Sequence, residues 1–137
     1  MSYEILEHTA DIRVRVYGES FVDLLRNAAL AMMALITGIE AVKPEGDVEF
    51  EVEGETGEEI LVKMLGEILY LHQVRKMVFS DVALELTGGK KLKGRLRGEK
   101  IDPERHELEL DIKAATYHNL KIQKVNDRFV AEIVFDI

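Results

Sequence analysis

Residues 76–98 can be laid out in one way that keeps apolar and charged side chains apart, and that layout constrains the fold more than any other feature of the chain. On either side of Gly88-Gly89 the sequence alternates apolar and polar residues with the period of two that marks a half-buried strand. A two-residue loop at Gly88-Gly89 would set Leu86 beside Lys91 and mix the faces. A three-residue loop, Gly88 to Lys90, sets Leu86 opposite Leu92, Val82 opposite Leu96, Glu85 opposite Lys93 and Asp81 opposite Arg97. A slip of one residue moves every side chain to the other face, so the three-residue loop is the expected one. The chain therefore carries a long antiparallel hairpin, 76–87 with 90–98, that is apolar on one face.

The same reading places the other elements. Residues 3–7 form a short strand. In residues 11–17, Ile12, Val14 and Val16 face one way and Arg13 and Arg15 the other. Ser20 is a suitable N-cap for a helix from Phe21 to Thr37, stopped by Gly38. Strand 47–53 alternates Val48, Phe50 and Val52 with glutamates. Thr56 and Glu59 have the spacing of a capping box and open a second helix over 58–73. Gly66 falls mid-helix, where it costs about 1 kcal/mol relative to alanine, and close packing against another element is the expected reason. Strands 107–116, 119–125 and 128–136 follow, the last two joined at Asn126-Asp127. The order β-β-α-β-α-β-β-β-β-β predicts an α+β fold, a largely antiparallel sheet system with two packed helices, in a single domain spanning 1–137.

Composition narrows the chemistry. The 137 residues include no cysteine, which excludes disulfides, thiolate metal sites and cysteine nucleophiles. No apolar run is long enough to span a bilayer and the N-terminus does not read as a signal peptide, so a cytoplasmic protein without membrane contact is expected. A net charge of −8 argues against strong direct nucleic-acid binding. The row Lys91, Lys93, Arg95 and Arg97 can meet phosphates or an acidic surface, but the hairpin register already offers it acidic partners. Phosphate-loop, dinucleotide, HExxH and serine-elbow patterns are absent.

Three polar islands interrupt or end apolar strands: Glu7-His8-Thr9-Ala10-Asp11, Lys113 to His118, and Asp136-Ile137. A charge at such a place must be paired, hydrogen-bonded or metal-bound. The last strand runs apolar to the chain end, which holds the terminal carboxylate one residue from Asp136, and Asp11 can add a third anion. Hard oxygen ligands of this kind suit calcium or magnesium, while imidazole favours zinc or manganese. The alternative is a solvated aspartate at a fraying end. Lys113 can neutralise the carboxylates or stand as an exposed strand lysine. His8 and His118 are weaker candidates.

Several segments, taken in order, resemble the archease family over essentially the whole chain. They are the His8-Thr9-Ala10-Asp11 island, Asn27 to Met32, Gly98-Glu99, Asp102-Pro103-Glu104-Arg105-His106, Asp111 to His118 and the closing Asp136-Ile137. The resemblance leads one to expect glycine at position 13, where this chain has Arg13, beside Asp11. It implies a protein cofactor of the GTP-dependent tRNA-splicing RNA ligase. That ligase joins RNA ends bearing a 3′-phosphate or 2′,3′-cyclic phosphate to a 5′-hydroxyl, and the cofactor speeds guanylylation and supports multiple turnover without itself ligating. Carried over residue by residue, it implies one divalent metal ion, calcium with magnesium or manganese as alternatives, held by Asp11, Asp136 and the Ile137 carboxylate. Lys113 and Glu99 become functional polar residues nearby, with His8 and His118 as looser members. Two other readings compete. One is a metal-dependent phosphoester hydrolase using Asp11, Asp136 and His118, and the other is a chaperone-like binding module.

Overall fold

The computed structural model describes residues 2–7 and 11–137. The elements are β1 (Tyr3–Glu7), β2 (Asp11–Gly18), α1 (Phe21–Ile36), a 3-10 turn (Ile39–Ala41), β3 (Gly46–Glu53), α2 (Gly57–Arg75), β4 (Met77–Thr87), β5 (Lys91–Lys100), β6 (Ala114–Thr116), β7 (Gln123–Val125) and β8 (Arg128–Asp136). This is the expected α+β order with the 3-10 turn added. One sheet runs β1-β2-β8-β6, with β7 also paired to β8; the other runs β3-β5-β4. The strand pairs in both are antiparallel. No helix among the described residues is long and apolar enough to cross a membrane.

The helices begin where the capping chemistry places them. Asp23 N–H donates to Ser20 Oγ at 3.0 Å, and the Asp23 carboxylate in return accepts from Glu19 N–H at 2.8 Å. Glu59 N–H donates to Thr56 Oγ1, while Glu59 Oε1 accepts from Glu55 N–H, both at 3.1 Å. Each pair satisfies donors that a helix start leaves orphaned. Helix α1 packs on both sheets, against β2 and β4, and α2 packs on β3 and β6. Leu24, Leu25, Ala28 and Met32 of α1 and Ile60, Leu61, Met64, Leu65 and Ile68 of α2 are sealed in a core shared with Val14, Val16, Ile133 and Phe135 of the larger sheet and Val82, Leu92 and Leu96 of the smaller.

Gly66 differs from expectation. It lies on the exposed side of α2, and a Cβ there would meet nothing within 4 Å. Close packing within the chain therefore does not explain it. Gly66→Ala should stabilise the protein by about 1 kcal/mol, the propensity difference in a helix interior. A thermal melt showing equal or lower stability would mean that the flat energetic reading of this site is wrong.

The β4–β5 register is the one the faces demand: Leu86 with Leu92, Val82 with Leu96, Glu85 with Lys93 and Asp81 with Arg97. The ion pairs, however, go mainly to the other neighbour. Strand β5 is central, and its cations reach the acids of β3: Arg97 to Asp47 at 3.2 Å, Arg95 to Glu49 at 3.0 Å, and Lys91 to Glu51 at 3.8 Å and Glu53 at 3.5 Å. Asp81 pairs instead with Arg26 of α1 at 2.8 Å. The row is thus a neutralised sheet face.

Two expected strands are shorter than their alternation suggests. Of 107–116, only Ala114–Thr116 is a strand, and of 119–125, only Gln123–Val125. Residues 107–112 alternate but run over helix ends, and the chain meets β8 only from Lys113 on. Thr37 Oγ1 donates to the Glu107 carbonyl at 2.6 Å, Glu109 N–H to that of Ile36 at 2.8 Å, and Gln73 Nε2 to that of Ile112 at 2.9 Å. Farther on, Asn119 takes φ 52°, and the chain bulges away from β8 before β7 rejoins it.

Candidate functional site

The register of β2 on β8 puts Asp11 directly opposite Asp136, and β6 puts Ala114 opposite Asp136 on its other side. Alternation turns Asp11, Arg13 and Arg15 to the outer face of the sheet, because Val14 and Val16, which alternate with the arginines, are sealed in the core. In β8 the same alternation sends Ile133 and Phe135 inward and Asp136 outward. Opposed residues of an antiparallel pair have Cβ atoms about 4.5–5.5 Å apart, and like charges there repel. Lys113 N–H donates to the Asp136 carbonyl at 2.8 Å, so the third island is tied to the same rung. Ile137 follows and is 41% exposed. The structure therefore joins Asp11, Asp136, the residue bearing the terminal carboxylate, and the backbone of Lys113 at one end of the larger sheet. Its own side chain is exposed there.

This set fits a hard divalent cation by its donor chemistry: two opposed carboxylates, with a terminal carboxylate one residue on. Among the described residues no group of three or more His, Cys, Asp or Glu side chains gathers as a metal centre. Arg13, two residues along the same face, has a buried Nε without a hydrogen bond among the described residues. Its cation lies on the side where the family resemblance leads one to expect glycine. His8 lies outside the described residues.

Glu99 belongs to a second cluster, at the end of β5. Its carboxylate pairs with Arg105, accepts from Lys43 N–H at 2.6 Å, and lies 3.0 Å from Nε2 of the buried His106. His106 Nδ1 accepts from Asp102 N–H at 2.8 Å, so the ring proton sits on Nε2 and is donated to Glu99. No contact joins Glu99 to Asp11 or Asp136 among the described residues. The link between the two clusters is the chain itself: the 101–113 connection starts at Glu99's partners, is clamped by Thr37 and Gln73, and ends at Lys113. Thr37, Gln73 and His106 are not singled out by sequence reasoning. A polar residue at each helix end and a histidine after Asp102-Pro103 are weak signals by themselves.

The hydrogen bond from Arg105, then the Lys43 N–H and the His106 ring, outweigh the partial burial of Glu99 and pull its carboxyl from 4.5 down to about 2. A folded value below the unfolded one means stabilisation that is complete above about pH 4.5 and is lost as the pH falls toward about 2. Glu99→Gln should therefore melt below the wild type at neutral pH, with the gap closing between those two values. A gap that stays constant down to pH 2 would show that this ionisation does not contribute to stability.

His118 sits in the exposed turn after β6, its N–H 3.3 Å from Thr116 Oγ1 and its Nε2 3.3 Å from Asn119 Nδ2. Those are its hydrogen-bond neighbours among the described residues, and neither carboxylate is one of them.

Comparison with known proteins agrees with this architecture. The Archease protein family (MTH1598/TM1083) matches residues 3–137. The chain is similar to the protein archease of Methanopyrus kandleri, 44% identical over 140 residues with 100% of both chains covered. It is 41% identical over 139 residues to that of Pyrococcus furiosus, covering 98% of each. The solution structure of Methanobacterium thermoautotrophicum protein 1598 superposes with a TM-score of 0.82 at 27% identity over 99% of each chain. The crystal structure of an archease from Thermotoga maritima, described as a possible chaperone, shares the fold with a TM-score of 0.68 at 24% identity, over 98% of this chain and 96% of that one. With a family match from residue 3 to residue 137 and relatives aligned end to end, this chain belongs to the Archease protein family.

Proposed function

We propose that this protein is a cytoplasmic, non-catalytic activator of the GTP-dependent tRNA-splicing RNA ligase. It promotes ligase guanylylation and multiple turnover in the joining of 3′-phosphate or 2′,3′-cyclic-phosphate RNA ends to 5′-hydroxyl ends. The observation that carries this reading is the Asp11–Asp136 rung at the end of the larger sheet, in a chain of the archease family. Asp11, Asp136 and the Ile137 carboxylate hold one divalent cation, calcium or alternatively magnesium or manganese. When bound, the ion supplies positive charge between carboxylates that otherwise repel. Lys113 stands beside the site, and the Glu99 cluster holds the connection that delivers it. The hydrolase alternative needs His118 at the carboxylates, whereas its hydrogen bonds run to Thr116 and Asn119.

One experiment separates the readings. The protein is incubated with the cognate ligase, GTP and RNA ends, and separately with phosphoester substrates alone. Faster ligase guanylylation and repeated turnover are expected in the first arm and no hydrolysis in the second. Turnover of phosphoesters by this protein alone would overturn the proposal in favour of a hydrolase.

A further inference from the structure

We propose that the free edge of the five-stranded sheet, from Lys113 to Arg128, is a contact surface for single-stranded RNA. The choice of RNA rests on the ligase-activator reading; the surface itself rests on charge and geometry. Strands β6 and β7 lie in succession along the same side of β8, opposite the side taken by β2, and form the outer edge of the sheet. Residues 113–128 carry Lys113, Lys121, Lys124 and Arg128 against a single acid, Asp127, in a chain whose net charge is −8. All four cations are exposed.

The contrast with the other basic row is informative. From Lys91 to Arg97 each cation has an acidic partner within ion-pair distance. Among the described residues none of Lys113, Lys121, Lys124 and Arg128 has one. Lys124 lies instead over the ring of Phe129, 5.7 Å from its centre, and Arg128 of β8 reaches back over Tyr17 of β2, 4.5 Å from its centre. Such contacts leave the positive charge available to an anion.

The edge also offers an aromatic platform. Tyr117, 54% exposed, opens a turn closed by the hydrogen bond from Leu120 N–H to its carbonyl at 3.0 Å. The turn is anchored from behind, because Ile122 N–H donates to the Glu58 carboxylate at 2.8 Å. Exposed cations on both faces of the edge strands, with the exposed ring of Tyr117 in the turn between them, suit a flexible polyanion with stackable bases that runs along the edge, that is, a single strand. An acidic protein surface would use the cations and leave the ring without a role. The acidic remainder of the chain keeps the contact weak by itself, in keeping with the low nucleic-acid affinity expected from net charge.

The test is fluorescence anisotropy of the full chain with a fluorescein-labelled oligouridylate at increasing salt, in the absence of ligase. Replacing both Lys121 and Lys124 by glutamine should weaken binding and reduce the slope of log affinity on log salt by about 1.4, at about 0.7 per phosphate contact on a single strand. Tyr117→Ala should weaken binding about five-fold or more, the lower end of base–aromatic stacking, with the salt slope unchanged. Affinity and slope equal to wild type in all variants would overturn the proposal. So would poly-glutamate binding as tightly as the RNA, which would assign the edge to an acidic protein. Unchanged RNA affinity with new aggregation would also overturn it, leaving the lysines as guards of an open edge. A chain that binds RNA in this way yet fails to activate the ligase would remove the activator reading and leave the surface standing.

Discussion

Asp11→Ala is expected to abolish ligase activation while leaving the fold intact. The side chain removed is the outward one on the terminal β2–β8 rung, and the inward neighbours Val14, Val16, Ile133 and Phe135 keep their packing. In the proposed metal site it is one anionic oxygen ligand out of three that is lost, and affinity for a hard cation follows ligand charge. Calorimetry should show calcium, magnesium or manganese binding weakened by about ten-fold or more, equivalent to at least about 1.4 kcal/mol. The same ions should raise the melting temperature of the wild type and not of the variant. Asp136→Ala should behave alike. A peptide tag after Ile137 converts the terminal carboxylate to a neutral amide, so it should impair activation more than the same tag before Met1. Unchanged ion binding in both aspartate variants would remove the metal from this site.

Gly18→Ala should be among the most damaging single-methyl changes in the protein. Gly18 ends β2, and the first turn of α1 crosses directly over it. A Cβ there would stand 2.3 Å from the amide nitrogen and 2.6 Å from the Cα of Leu24, both backbone atoms of a helix pinned by its Ser20 cap. No side-chain rotation relieves such an overlap, so α1 must lift from the sheet that it packs on. Overpacking of this kind costs about 3 kcal/mol, and more where backbone must move. For a chain of this size that is a fall of roughly 10 °C in melting temperature. It contrasts with Gly66→Ala, which adds the same methyl where nothing stands within 4 Å and should raise stability. A melting temperature for the Gly18 variant close to wild type would mean that α1 is free to shift, and that its seat on β2 is not tight.

Much of the fold is written in local pattern. The three-residue loop and its register follow from the alternation around Gly88-Gly89, and the structure places Leu86 on Leu92 as that alternation demands. Both helix starts follow from side chains able to accept the first orphaned N–H groups. Asp11 and Asp136 stand out in sequence because each carries a charge at the end of an apolar strand. These signals are legible because a period, a cap or a turn involves residues only a few positions apart.

Long-range pairing is another matter, because alternation says which face a side chain takes and not which strand stands beside it. Residues 107–112 alternate like a strand, yet they are held by Thr37, Ile36 and Gln73 at helix ends. The acids opposite β5's cations within the hairpin are real register partners, but β3 lies on the other side and takes most of the ion pairs. The family resemblance makes Glu99 a functional polar residue, but only the fold shows its partners, Arg105, His106 and Lys43 N–H. Asp11 and Asp136 come from opposite ends of the chain, and their meeting on one rung depends on β8 returning to pair with β2. That return is set by the shared burial of Val14, Val16, Ile133 and Phe135 under α1 and α2, a condition that exists only once the layers are assembled.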